Sequence, residues 1–297
     1  MFHKIQFPTD FHDSAMLADW LEITAFVSDD GETSAGDLER QLSRLNCARP
    51  EEAAGNALAE VDRRGKAAAT AYPFQRSPSG SAVIRRDEAA TCIAYLFCLL
   101  LSFCRWKLRK GAGLNPWLLF EELSCHAARN YLGEAVAFGT STRVGKTAGT
   151  VFASRVNMLC KQLGEGDEFN GGKTFNAQDE KLDLVAWRPF ADGRASKVVM
   201  FGQCASGANW RTKLPEIQPK AFWDNWIAGP AVSPLFRCFF MPHRIFFPEE
   251  WAQKARKGGV LFDRCRIAFH SHEQIADTEL AQRLSACCKK EWGIKLA

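Results

Sequence analysis

At 297 residues the chain is long enough to bury a core in one large domain or two modest ones, and 46% hydrophobic against 24% charged residues excludes a disordered or collagen-like chain. A formal net charge of +4 tolerates a polyanionic partner but falls short of the basic arms that bind nucleic acid on charge alone. The eleven cysteines, at 47, 92, 98, 104, 125, 160, 204, 238, 265, 287 and 288, form no CxxC pair and are odd in number, which argues against a disulfide framework or zinc ribbon and for reduced thiols in a cytoplasmic protein.

The first residues, "MFHKIQFPTDFHDSAM", have Asp and His where a signal peptide would need an apolar stretch. Residues 14–27 carry apolar side chains at helical spacing, and "SAGDLERQLSRL" opens with Ser and acids as a capped helix does. Character changes over "AEVDRRGKAAATAYPFQRSPSGSAVIRR", where Pro, Ser and Gly between short apolar runs predict a hairpin or small wing. "CIAYLFCLLLSFC", residues 92–104, is too short to span a bilayer and predicts a buried helix. "RWKLRKGAGLNP" then joins a basic cluster to Gly, Asn and Pro. It serves as the expected linker, giving a mainly helical domain over residues 1–110 and a second domain over 111–297.

Beyond it the pattern predicts a helix at "WLLFEELSCHAARNYL", a strand at "EAVAF", a helix near "VFASRVNMLCKQLG", then strands "KLDLVAW" and "KVVMFGQ" joined by an "ADG" turn. Short helices through "PEIQPKAFWDNWI", a strand "LFRCFFM" and helices near 248–256 and 272–290 complete the chain. The expected class is α/β, a mixed sheet flanked by helices.

Asp183 and Gln203 fall on the two hairpin strands, where side-by-side oxygen ligands on rigid backbone suit a hard cation. A pairing of Asp183 with Lys181 or Lys173, and a turn-capping Gln203, is the plain structural alternative. The segment resembles the catalytic hairpin of the PD-(D/E)XK restriction-endonuclease-like superfamily, in particular its Mrr-like branch with Gln in place of Glu. "LDLVAW" resembles the first strand, "FGQCA" the second, and "LFEELSCHAARNYLG" the helix that supplies a Glu, here Glu121 with Glu122 as the second choice. The likeness covers roughly residues 115–245. It implies a restriction-endonuclease-like fold, Mg²⁺ or Mn²⁺ held by Asp183, Gln203 and Glu121, and hydrolysis of DNA phosphodiesters in restriction or anti-phage defence. DNA and other defence-system subunits are the implied partners. Membrane attachment is not expected, and a homo-oligomer is compatible with the reading.

One position departs from the resemblance. The family's lysine would fall at 205, which is Ala205; Lys213, just beyond the turn, is the expected substitute. Lys197 lies six residues before Gln203, roughly 20 Å away along an extended strand, and is a poor one. A subunit that keeps the fold and binds nucleic acid without cleaving it is the alternative function that Ala205 raises.

"TSTRVGKT", residues 140–147, nearly spells a phosphate-binding loop but has Thr140 where the first Gly is needed. Its Arg143 and Lys146, with Arg244 after the "RCFFM" strand, are candidate contacts for a nucleic-acid backbone. His270 and His272 in "FHSH" have no second ligand pair at a zinc-finger spacing, and a strand end entering a helix is the expected setting. Trp187 and Trp210 are expected to bury against helices.

Overall fold

The computed structural model describes residues 5–8, 10–104, 114–138, 152–170, 181–276 and 278–293. In chain order the elements are α1 (Ser14–Val27), β1 (Glu32–Ser34), α2 (Ala35–Arg44), α3 (Pro50–Ala68), β2 (Phe74–Arg76), β3 (Ala82–Arg85), α4 (Ile93–Phe103), α5 (Pro116–Leu132), β4 (Glu134–Ala137), α6 (Phe152–Leu163), β5 (Leu184–Trp187) and β6 (Val199–Cys204). There follow α7 (Trp210–Lys213), α8 (Pro219–Trp226), β7 (Leu235–Phe240), α9 (Pro248–Gly258), β8 (Val260–Phe262), α10 (Arg264–Ile275) and α11 (Glu279–Trp292). The protein is mixed α/β. It divides into two compact units, one of Met1–Pro116, Pro242–Trp251 and Asp263–Ala297, the other of Trp117–Met241 and Ala252–Phe262.

The first unit is mainly helical with a small antiparallel sheet in the order β1-β3-β2. Its helix starts are written locally. Asp13 accepts from the backbone N–H groups of Ala15 and Met16, and Ser34 with Asp37 forms a reciprocal capping box, so donors that the first helical turn leaves unpaired are satisfied. The expected wing is the β2–β3 hairpin, whose turn Gly80 enters with φ +74°. The expected buried helix is α4, apolar on every side because α1, α10 and α11 pack around it. No helix among the described residues is long and apolar enough to cross a membrane.

At the centre of this unit lies a buried ionic network. Arg64 reaches Asp19 at 2.7 Å, Glu22 at 3.0 Å, Glu60 at 3.0 Å and the Ala15 carbonyl at 2.8 Å, with no exposure of its own side chain. Arg264 grips both oxygens of Asp19 at 2.9 and 3.0 Å. The hydroxyls of Tyr72 and Tyr95 donate to Glu22 at 2.6 and 2.9 Å, and Arg244 bridges Glu60 to Asp263. Charges taken out of water cost several kcal/mol each unless paired and hydrogen-bonded, and here the guanidiniums and carboxylates answer one another across α1, α3 and α10.

This network and the packing of α10 and α11 explain where the expected division at residue 110 departs from the structure. The segment 263–297, expected in the second domain, returns to the N-terminal helices because α10 packs on α3 and α4, α11 packs on α4, and Arg264 completes the Asp19 pair. The helix expected over 272–290 is two helices, with Thr278 capping α11. Helix α3 extends through "AEVDRRGKAA", and β8 is a further strand the pattern did not predict.

The second unit is built on a five-stranded sheet in the order β4-β5-β6-β7-β8. Pairs β4–β5 and β5–β6 are antiparallel, β6–β7 and β7–β8 parallel. Val185, Trp187, Val199 and Phe201 bury one face against α6 and α8 through Val156, Leu159, Phe222 and Trp223. Trp210 is buried as well. Gly202 sits in the middle of the sheet where a Cβ would lie 2.9 Å from Leu184 and 3.0 Å from the Cys238 sulfur; its missing side chain lets β5, β6 and β7 close up immediately before Gln203.

Candidate active site

Three elements meet at the C-terminal end of β6. The β5–β6 register ends with Leu184 paired to Gly202, and Asp183 and Gln203 are the next residues along the two chains. The Asp183 N–H donates to the Gly202 carbonyl at 2.9 Å, and its carboxylate Oδ2 accepts the Cys204 N–H at 2.6 Å. Asp183 therefore ties off the end of β6 with its side chain as well as its backbone.

Side chains alternate along a strand. Gln203 shares the face of Val199 and Phe201, while Cys204 points to the other, where it meets Ser124 and the charge of Glu121, both on α5. Burial, then the nearby carboxylates of Asp183 and Glu121, push the Cys204 thiol well above its ordinary range, so it is a neutral group at physiological pH. The same environment reports which α5 glutamate faces the strand end. Glu121 acts on Cys204, whereas Glu122 acts on Cys125 on another aspect of the helix.

Gln203 is 4% exposed. Its Nε2 donates to a carboxylate oxygen of Glu216 at 2.8 Å, and its Oε1 is buried without a hydrogen-bond partner. A carboxylate can only accept, so the amide nitrogen has to face Glu216 and the oxygen has to face away. Glu216, exposed in the segment between α7 and α8, was not foreseen from the sequence. No periodicity or motif connects it to Gln203, from which it is separated by the whole of α7.

The Asp183 carboxylate thus binds the Cys204 N–H, Glu121 adds its charge to the surroundings of the Cys204 thiol, and Gln203 is joined to Glu216. Carboxylate and amide oxygens are donors of the kind Mg²⁺ and Mn²⁺ take; of the three expected ligands, Glu121 lies toward the Cys204 side of β6 and Gln203 on the opposite face. Among the described residues, no group of three or more His, Cys, Asp or Glu side chains is placed to hold a metal ion.

The remaining expected residues have diverse settings. Lys213 is the last residue of the one-turn helix α7 and is half-buried. Ala205 is 3% exposed, with its N–H donating to Phe240 at 2.9 Å. Lys197 is pinned by Nζ to the Leu163 carbonyl at 2.6 Å. Arg244 is held by Glu60 and Asp263 with its side chain 11% exposed, a geometry that gives the expected phosphate contact no support. Arg143 and Lys146, with the loop-like segment 140–147, lie outside the described residues. His270 and His272 both belong to α10 rather than to a strand end, and two residues apart on a helix they diverge. All eleven cysteines are unpaired in disulfides.

No family model matches the chain, and comparisons with curated proteins and with solved structures likewise find no match.

Proposed function

We propose that this chain is a metal-dependent endonuclease that hydrolyses DNA phosphodiester bonds, with Glu121, Asp183 and Gln203 as the oxygen donors for Mg²⁺ or Mn²⁺. The observation that carries the reading is the buried, unpartnered Oε1 of Gln203 at a strand end whose Cys204 N–H is bound by the Asp183 carboxylate. Leaving a buried acceptor unpaired costs about 1–3 kcal/mol, and an orphan of this kind calls for an explanation such as a ligand. The succession of a Glu-bearing helix, an Asp-bearing strand and a Gln-bearing hairpin partner also supports the restriction-endonuclease-like reading.

When bound, a divalent ion would lower the pKa of a coordinated water and offset charge on the phosphate. The chain's own contribution is orientation. Asp183 is fixed by the Cys204 N–H on a hairpin embedded in the sheet, which is the rigid support such a site needs. The Cys204 thiol, pushed up by burial and by the charges of Asp183 and Glu121, stays neutral and adds no charge there. Lys213 is assigned to orient the attacking water, replacing the lysine that Ala205 lacks. Restriction or anti-phage defence in the cytoplasm, alone or with other subunits, is the proposed setting.

The test is incubation of the purified chain with supercoiled plasmid and Mg²⁺ or Mn²⁺. Nicked or linear product that EDTA suppresses and Asp183→Ala abolishes is the expected result. DNA retained without cleavage would instead favour a non-catalytic DNA-binding subunit, the second reading to which the buried Ala205 points.

A further inference from the structure

Gln203 stands where a carboxylate would be the stronger cation ligand, and the structure supplies a reason for the amide. The Glu216 carboxylate lies 2.8 Å from its Nε2. A glutamate at 203 would set two negative groups at hydrogen-bond distance, of which one would have to stay protonated. An amide can instead donate to Glu216 with one end and keep an acceptor at the other. A glutamine without Glu216 would have no such preference, because amide nitrogen and oxygen exchange places by a half-turn about the terminal bond, and the orientation that turns Nε2 inward would offer a cation a donor.

We propose that Glu216 is a positioning residue for Gln203: it holds the amide nitrogen and thereby presents Oε1 as a ligand for a divalent cation, the pair acting as a divided carboxylate whose charge sits on Glu216 and whose ligand atom sits on Gln203. The inference rests on the metal-binding reading above. Three observations support it. Gln203 is nine-tenths buried, so its amide is confined; Oε1 has no hydrogen-bond partner; and Glu216 is exposed, so the bond between them is not required to satisfy a buried charge. Partners that orient a ligand in this way are worth about 10- to 100-fold in metal affinity.

The experiment is a titration of the full chain with Mn²⁺ alone, followed by calorimetry and by the loss of the free-ion electron paramagnetic resonance signal, on five proteins. These are the wild type, Asp183→Ala, Glu216→Ala, Glu216→Gln and the exchanged pair Gln203→Glu with Glu216→Gln. Unchanged circular dichroism and thermal midpoints confirm folding, which the exposure of Glu216 favours. The expected order has Glu216→Ala about 10- to 100-fold weaker than wild type. Glu216→Gln, which keeps an acceptor for Nε2, should lie between the two. The exchanged pair should return to wild-type affinity or better, since it carries the charge on the ligand itself. That rescue is a result a merely structural contact would not produce. Wild-type affinity in Glu216→Ala, or equal loss in Glu216→Ala and Glu216→Gln with no rescue by the exchange, overturns the positioning role while leaving the metal site standing. A wild type that binds Mn²⁺ no better than Asp183→Ala removes the metal-binding reading itself, and the positioning role with it.

Discussion

The two units each bury polar side chains, and they do so in opposite ways. In the first, Arg64, Arg264 and Arg244 meet Asp19, Glu22, Glu60 and Asp263, and two tyrosine hydroxyls take up further carboxylate lone pairs. In the second, the polar end of β6 pairs Gln203 with Glu216 and leaves an amide oxygen over. The first arrangement pairs its charges with one another, with Arg64 Nη1 held in ion pairs to Asp19 and Glu22. The second keeps an acceptor in reserve on a rigid strand. Burial of charge alone is therefore a poor guide to function in this chain.

The largest expected effect comes from breaking the closed network. Arg64→Ala removes one partner each from Asp19, Glu22 and Glu60, leaving them to Arg264, the two tyrosines and Arg244, and removal of one partner of a buried ion pair costs about 3–5 kcal/mol. Urea titration should show the transition midpoint falling accordingly. A loss under about 1 kcal/mol would mean that water enters the network and that its closure is overstated.

Asp183→Ala sharpens the contrast from the other side. Loss of the Cys204 N–H contact at a strand end should be tolerable for folding, yet the proposed metal and its chemistry depend on this carboxylate. Cleavage should fall by about 10³-fold or more, equivalent to some 4 kcal/mol of barrier, with the urea midpoint close to wild type. Equal losses of stability and activity would mark Asp183 as a structural cap only.

The network also sets a pH window. Asp19 is held below its ordinary carboxyl value of 3.8: burial works against this, and the guanidiniums of Arg264 and Arg64 outweigh it. A depressed folded pKa gives stability that is fully present above 3.8 and is lost as pH falls through the lower folded value. Tyr72 and Tyr95 shift the other way, pushed well above 10 by burial and then by Glu22. Their contribution is intact below 10 and disappears as pH rises from there toward the folded values. Thermal midpoints measured across the range should thus hold a plateau between about 4 and 10 with respect to these groups and fall on both sides. Tyr72→Phe together with Tyr95→Phe should flatten the alkaline limb and leave the acid limb unchanged. An alkaline limb unaffected by both substitutions would assign it elsewhere.

How far these features could be read in advance differs between the units. The alternating runs at 184–187, 199–204 and 235–240 and the apolar helix at 93–103 were legible because each is a local pattern. The pairing of the strands next to Asp183 and Gln203 was legible too, since they follow one another in the chain. Helix α3 was cut short because "AEVDRRGKAA" reads as a charged break, while Glu60 and Arg64 there face inward and pair. The return of α10 to the N-terminal helices depends on Arg264 meeting Asp19, a partner 245 positions away. Arg244 was misjudged for the same reason, since a basic residue after a strand looks solvent-facing until Glu60 and Asp263 are seen around it. Glu216 required the side-chain amide to be placed. Local propensity is visible in a sequence; long-range pairing of charges is not.

The smallest effect is expected at Cys204, and it discriminates between two chemistries. A thiol between Glu121 and Asp183 invites a nucleophilic mechanism, in which a thiolate rather than water would attack. The surroundings argue against it: burial and both carboxylates raise the thiol's pKa, and a group held protonated is a poor nucleophile. Cys204→Ala removes the sulfur but keeps the backbone N–H that Asp183 accepts, so the proposed ligand geometry survives. Turnover should remain within about threefold of wild type, a barrier change near 0.65 kcal/mol. Stability should fall by the modest amount expected for a small cavity beside Ser124, about 1 kcal/mol. Cys204→Asp adds a third carboxylate beside two others and should instead depress cleavage while shifting its pH optimum upward, since one acid of the three would keep its proton to higher pH. A Cys204→Ala protein that folds, binds Mn²⁺ as wild type does and yet fails to cleave would require the thiol in the reaction, and the water-based hydrolysis proposed for the strand end would have to be abandoned.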